Sequence, residues 1–124
     1  MSLGDHEILV LAEDIQLGQL LCDMIRMYRL GLPQLSMSEA DACQILAGQS
    51  FDMCILEVTL RGRACDLAVA AANARGIPVL LLSDGGDLGE LSVRPQRGLV
   101  VDKPANEEDI RFSVSELLRK EPAG

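Results

Sequence analysis

The sequence predicts a doubly wound α/β domain, a five-stranded parallel sheet of strand order 2-1-3-4-5 covered by helices on both faces. Two observations carry that prediction. Four short apolar runs, Ile8 to Ala12, Met53 to Leu56, Ile77 to Leu82 and Leu99 to Val101, are continuous rather than alternating, which is how a strand reads when both its faces are covered. Stretches of helical period lie between them, joined by connections of a few residues, so the order is β-α repeated with short right-handed crossovers. A fifth, weaker run from Leu32 to Met37 contains Pro33. Proline cannot donate to a strand ladder, so this run suits an edge, and that placement yields the strand order.

The helices follow in turn. Leu17, Leu21, Met24, Ile25 and Tyr28 form one apolar stripe from about Gln16 to Leu30, with Gly31 as its terminator. Ser38 caps a second helix reaching about Gly48, its hydroxyl accepting from a free amide of the first turn. Alanine-rich Cys65 to Arg75 makes a third, stopped by Gly76 and Pro78. Asp87 to Leu91 supports at most a short, poorly specified helix, hemmed by Gly85, Gly86 and Gly89. The last helix is the clearest: Asn106 caps it, Glu107, Glu108 and Asp109 face its positive start, Ile110, Val114, Leu117 and Leu118 line it, and Arg119 and Lys120 close it before Pro122.

A chain of 124 residues fits one domain, expected over residues 5–121, with residues 1–4 a disordered start or a cloning remnant. The net charge of −8 repels phosphate backbones, and the eleven basic residues are scattered. Only Tyr28, Phe51 and Phe112 are aromatic, too few for a base-stacking platform. Direct nucleic-acid binding is therefore not expected. Cys22, Cys43, Cys54 and Cys65 form no CxxC and lie in apolar segments, which reads as buried free thiols in a reducing cytosol. The sequence starts with neither a secretion signal nor an apolar stretch of the ~18 residues a membrane helix needs. A soluble cytoplasmic protein is expected. His6 stands alone near the start and reads as neither phosphodonor nor metal ligand.

In a sheet of this topology, ligands gather beyond the carboxyl ends of the strands, at the switch point between the first and third. The chemistry-bearing residues fall there. Glu13 and Asp14 follow the first run, Glu57 the third, Ser83 the fourth, and Lys103 with Pro104 the fifth. Carboxylates that can hold a hard divalent cation, a hydroxyl and an ammonium that can cancel phosphoryl charge, and an acid that can accept the group make up a set suited to phosphoryl transfer. Each residue also has a bland reading. Glu13 and Asp14 suit the start of any helix, Ser83 suits a turn, and Lys103 suits a solvated strand end. The run Asp84-Gly-Gly-Asp87 hints at a calcium loop but lacks the remaining ligand spacing.

Over about residues 7–120 these motifs resemble a response-regulator receiver domain. The acidic pair Glu13-Asp14 before an amphipathic helix, the run Phe51-Asp-Met-Cys-Ile-Leu-Glu57-Val, Leu82-Ser83 and Asp102-Lys103-Pro104 match that family in order and approximate spacing. Glu57-Val-Thr-Leu-Arg-Gly, an alanine-rich helix and Arg75-Gly-Ile-Pro78 are similar to a subgroup of small stand-alone bacterial receivers. The resemblance implies a flavodoxin-like fold and two-component or phosphorelay signalling rather than enzymatic turnover. It implies that Glu13, Asp14 and Glu57, with the Thr59 backbone carbonyl, form a weak Mg²⁺ site, that Ser83 and Lys103 contact the phosphoryl group, and that the Lys103-Pro104 peptide is cis. A register shifted by one residue would put Ala12 in the first acidic place. The partners implied are a histidine kinase, a phosphotransfer protein or a downstream regulator; with no output segment after Lys120, output through a partner protein or another chain is expected unless the sequence is a piece of a longer one.

Two positions depart from the family pattern. The phosphoacceptor is an aspartate in the family, and here Glu57 stands there, its carboxylate pushed about 1.5 Å further out by one methylene. Ordinary phosphorylation is not expected. A displaced carboxylate could instead accept from Ser83 and pair with Lys103, imitating part of an acyl phosphate. The alternative is a degenerate interaction module with neither phosphorylation nor metal binding. Val100 occupies a place where the family often has Tyr or Phe, so a monomer or weak dimer is expected. Flavin carriers share the topology but need a hydroxyl-rich phosphate loop and aromatic walls, and phosphoaspartate hydrolases need an aspartate after a strand. The loop and the aromatic walls are absent from this sequence, and Glu13 is a poor nucleophile.

Overall fold

A computed structural model describes residues 6–119. Five parallel strands, β1 (Glu7–Leu11), β2 (Leu32–Ser36), β3 (Met53–Glu57), β6 (Val79–Ser83) and β7 (Gly98–Asp102), pair in the order β2-β1-β3-β6-β7, which is the expected 2-1-3-4-5. Helices α1 (Ile15–Met27) and α4 (Glu107–Leu118) cover one face, and α2 (Glu39–Gly48) and α3 (Asp66–Ala74) cover the other. The expected disordered start at residues 1–4, both ends of the expected domain over residues 5–121, and the expected helix end at Lys120 and Pro122 lie outside the described residues.

Successive strand side chains point to opposite faces, so continuous apolar runs feed two cores at once. Ile8, Val10, Met53, Ile55, Leu80 and Leu82 pack under α1 and α4, whereas Leu9, Leu11, Cys54, Leu56, Val79 and Leu81 pack under α2 and α3. Each fully buried aliphatic side chain of this kind contributes roughly 1.5–3 kcal/mol relative to exposure. The register aligns Leu11 with Leu56 and Glu57 with Leu82, which brings the carboxyl ends of β1, β3 and β6 level. This alignment positions the site.

Two local details differ from expectation, and a third agrees with it. Helix α1 stops at Tyr28 because Arg29 takes the left-handed conformation (φ 54°), so Gly31 is not the terminator. Gly31 has another reason to be glycine: a Cβ there would sit 2.5 Å from the His6 carbonyl oxygen. An unforeseen hairpin follows β3, with β4 (Thr59–Leu60) antiparallel to β5 (Arg63–Ala64). Its turn residues, Arg61 (φ 52°) and Gly62 (φ 77°), have the two positive φ angles of a tight hairpin turn. The poorly specified fourth helix is a single 3-10 turn, Asp87–Glu90, after Gly85 and Gly86, both left-handed. One turn leaves much of β7 uncovered, and Leu99 and Val100 are partly exposed.

The caps behave as their chemistry requires. Ser38 accepts from the Asp41 amide and Asn106 from the Asp109 amide, each filling an otherwise unpaired first-turn donor. All four cysteines are free thiols, three buried and Cys43 half-buried. Burial pushes the thiols of Cys54 and Cys65 up to about 12. None of the described helices is long and apolar enough to cross a membrane.

Candidate functional site

The level strand ends bring Glu57 and Lys103 together. Glu57 closes β3 and its side chain is only 7% exposed; Lys103 follows β7 directly, and its ammonium meets Glu57 Oε1 at 2.5 Å. The other carboxylate oxygen, Oε2, accepts from the Glu13 amide at 2.6 Å, just beyond β1. Both oxygens of a buried acid are thus satisfied by groups 46 and 44 residues away. A carboxylate with 7% exposure is tolerable only with such partners, because desolvating an unpaired charge is costly. The Lys103-Pro104 peptide is cis, as the resemblance implies.

A second network lies beside the first and is built on an acid that the sequence reading left to a turn. Asp87, in the 3-10 turn, accepts from Ser83 Oγ at 3.0 Å and from the Asp84 amide at 2.9 Å through Oδ1, and from Thr59 Oγ1 at 2.7 Å through Oδ2. Burial works against the charged form of Asp87. Hydrogen bonds from Thr59, the Asp84 amide and Ser83, together with the positive charge of Lys103, outweigh it and hold the carboxyl below its ordinary value. The spacing of Ser83 to Asp87 across two glycines was the available signal. A short loop returning an acid to the hydroxyl that opened it is a common side-chain turn.

Imitation of an acyl phosphate by Glu57 would have the Ser83 hydroxyl donate to it, but that hydroxyl donates to Asp87, an acceptor four residues on that the glycine loop folds back to the strand end. Asp14 was expected in a metal site, but its exposed carboxylate accepts from the Gln16 amide and caps α1. Glu13 turns its carboxylate to the Arg61 amide at 2.8 Å, anchoring the β4–β5 hairpin. Ala12, at the alternative register, is fully buried and offers no oxygen. Thr59 contributes its hydroxyl to Asp87.

A divalent cation of the Mg²⁺ type asks for near-octahedral oxygen ligands, with carboxylate charge to offset the cost of dehydration. The residues at the strand ends do not fit one in this arrangement. Glu57 is committed to an ammonium and an amide, Glu13 to a hairpin amide, and Asp14 to a helix cap. No group of three or more potential ligand side chains forms among the described residues. The acids of the expected Mg²⁺ set lie at neighbouring strand ends, and each faces a different donor.

No protein-family model matches this sequence, and no characterised protein matches it closely. Solved structures do match in shape. A response regulator receiver protein from Sinorhizobium medicae superposes with a TM-score of 0.81 at 19% identity, covering 94% of this chain and 97% of that one. The receiver domain of a sensor histidine kinase from Pseudomonas aeruginosa, solved with magnesium in its active site cleft, gives a TM-score of 0.81 at 15% identity, covering 93% and 98%. The signal receiver domain of an HD domain-containing protein from Pseudomonas fluorescens gives 0.80 at 16%, covering 92% and 94%. The chain has the fold of response regulator receiver domains.

Proposed function

We propose that this chain is an atypical receiver domain of two-component signalling that acts through protein contacts, with Glu57 in the place of the phosphorylated aspartate. The observation that carries the reading is the pairing of the buried Glu57 carboxylate with the half-buried Lys103 ammonium at the carboxyl end of the central strand. A sheet of this kind collects its chemistry there, and the pair joins residues 46 positions apart at that place. On this reading Glu57 is a permanent internal acceptor for Lys103 and not a transient phosphoryl acceptor. The strand ends are then held in one state by the chain's own charges.

The partner is a histidine kinase, a phosphotransfer protein or a downstream regulator, met in the cytoplasm by a single domain acting as a monomer or weak dimer. Binding to a panel of such proteins tests the reading. Glu57→Gln is expected to weaken binding of the true partner about tenfold, since it removes a charge-assisted hydrogen bond of the kind that contributes roughly 1.5–3 kcal/mol. Acetyl phosphate is expected to leave the parent unlabelled, whereas Glu57→Asp shortens the arm and restores labelling. Binding unchanged by Glu57→Gln would reject a governing role for the pair.

A second reading, the degenerate interaction module, is favoured by one observation. Ser83 gives its hydroxyl to Asp87 and leaves Glu57 with only half of an acyl-phosphate imitation. Under that reading the strand ends are structural only, and binding tracks other surfaces. The same Glu57→Gln measurement separates the two.

A further inference from the structure

We infer that the Lys103 ammonium is the resident cation of the strand-end site and that it keeps divalent metals out. This rests on the reading of Glu57 and Lys103 as the functional pair, and it adds what the pair excludes. Glu57 is the most buried acid of the expected metal set, and its Oε1 is taken by Lys103 while Oε2 takes the Glu13 amide. A metal bound to Glu57 would either displace the ammonium from Oε1 or share the carboxylate with it through Oε2, and in both cases it would lie beside the positive charge of a side chain that is only 26% exposed. Such like-charge crowding opposes binding.

The remaining acids do not compensate. Glu13 would have to release the Arg61 amide and with it the turn of the β4–β5 hairpin, and Asp14 would have to uncap α1. The position preceding Glu13 is Ala12, a fully buried methyl. Glu57 and Lys103 cancel, leaving Glu13 and Asp14 at the end of β1 without a formal cation, each carboxylate already held by a backbone amide. Affinity of an oxygen site for a hard cation is tuned by ligand charge and rigidity, and here the central, most buried carboxylate is already neutralised from within. The cationic role is filled from within the chain.

The probe is Mn²⁺, whose paramagnetism broadens nearby amide resonances, added to the ¹⁵N-labelled protein. In the parent, millimolar Mn²⁺ is expected to leave the Glu13, Glu57 and Thr59 amides no broader than those of the acidic surface turn Glu107 to Asp109. Selective broadening of the first three in the parent overturns the proposal. Lys103→Met removes the ammonium without removing the stem, and it is expected to bring selective broadening of those amides with roughly a tenfold gain in Mn²⁺ affinity. Should Lys103→Met fail to fold, Lys103→Gln serves in its place. A folded variant with no gain shows that Lys103 is not what excludes the metal and also overturns the proposal. The readout does not involve a partner, so the receiver reading can fail by the Glu57→Gln binding test while this result stands.

Discussion

Glu57 and Asp87 stand at the same end of the sheet and both are acids, yet they are held by opposite means. Glu57 is buried and meets a full charge and an amide brought from 46 and 44 residues away. Asp87 is half-exposed and collects neutral donors, two of them within four residues and the third from the hairpin. A buried charge demands a countercharge that only the assembled sheet can deliver, whereas a wetter acid is satisfied by a turn. The first network should therefore be strong and indifferent to loop motion, and the second weaker and dependent on the conformation of residues 84–90.

The largest expected effect tests the first network. Lys103→Met strands the Glu57 carboxylate in a poorly solvated place, and a cost of about 2–4 kcal/mol is expected as a lowered urea midpoint. The double variant Glu57→Leu, Lys103→Met should recover most of it, because two apolar groups leave no charge unpaired. If Asp87→Asn costs as much as Lys103→Met, the contrast between the two networks is lost.

Next in size is Asp87→Asn itself. The amide must turn either an NH₂ or a single oxygen to three donors, for an expected loss of about 1–2 kcal/mol. Its pH dependence sharpens the comparison. The folded carboxyl lies below its ordinary value of 3.8, so Asp87 contributes stability that is fully present above that value and is lost as pH falls through the folded value. The stability difference between parent and Asp87→Asn should be constant near neutrality and shrink below pH 3.8. A difference that stays level in acid would mean the hydrogen bonds do not favour the charged form.

Asp14→Ala should cost only about 0.5–1 kcal/mol, the usual value of a lost helix cap. It should leave the amide shifts of Ser83 and Lys103 unchanged, since Asp14 belongs to neither network. The smallest effect concerns thiols. At mildly alkaline pH Cys54 and Cys65 should resist alkylation, both thiols being pushed up to about 12 by burial. Cys65 donates its backbone amide to Val58, beside the hairpin that Asp87 ties down through Thr59. Asp87→Asn is expected to speed alkylation of Cys65 and not of Cys54, the mark of a local opening rather than a global one.

Much of this molecule could be read in advance. Uninterrupted aliphatic runs could only be strands covered on both faces, and Pro33 marked an edge, so topology and sheet order followed. Asn106 and Ser38 announced their caps because capping is a local exchange between a side chain and an amide a few residues on. Gly31 misled for a physical reason: glycine serves close approach as well as helix termination, and only the His6 carbonyl 2.5 Å from its absent Cβ tells the two apart. The hairpin escaped because two-residue strands carry no periodicity, although Arg61-Gly62 was a visible turn.

The site divides along the same line. Residue order alone determined that Glu57, Ser83 and Lys103 would end neighbouring strands, since a parallel sheet with right-handed crossovers leaves few other places for them. Which atom faces which was decided by the tertiary structure, because a hydroxyl or carboxylate takes whichever donor or acceptor the packed backbone brings within about 3 Å. Ser83 turned to Asp87, Glu13 to the hairpin and Asp14 to its own helix. Lys103 alone was left to neutralise Glu57.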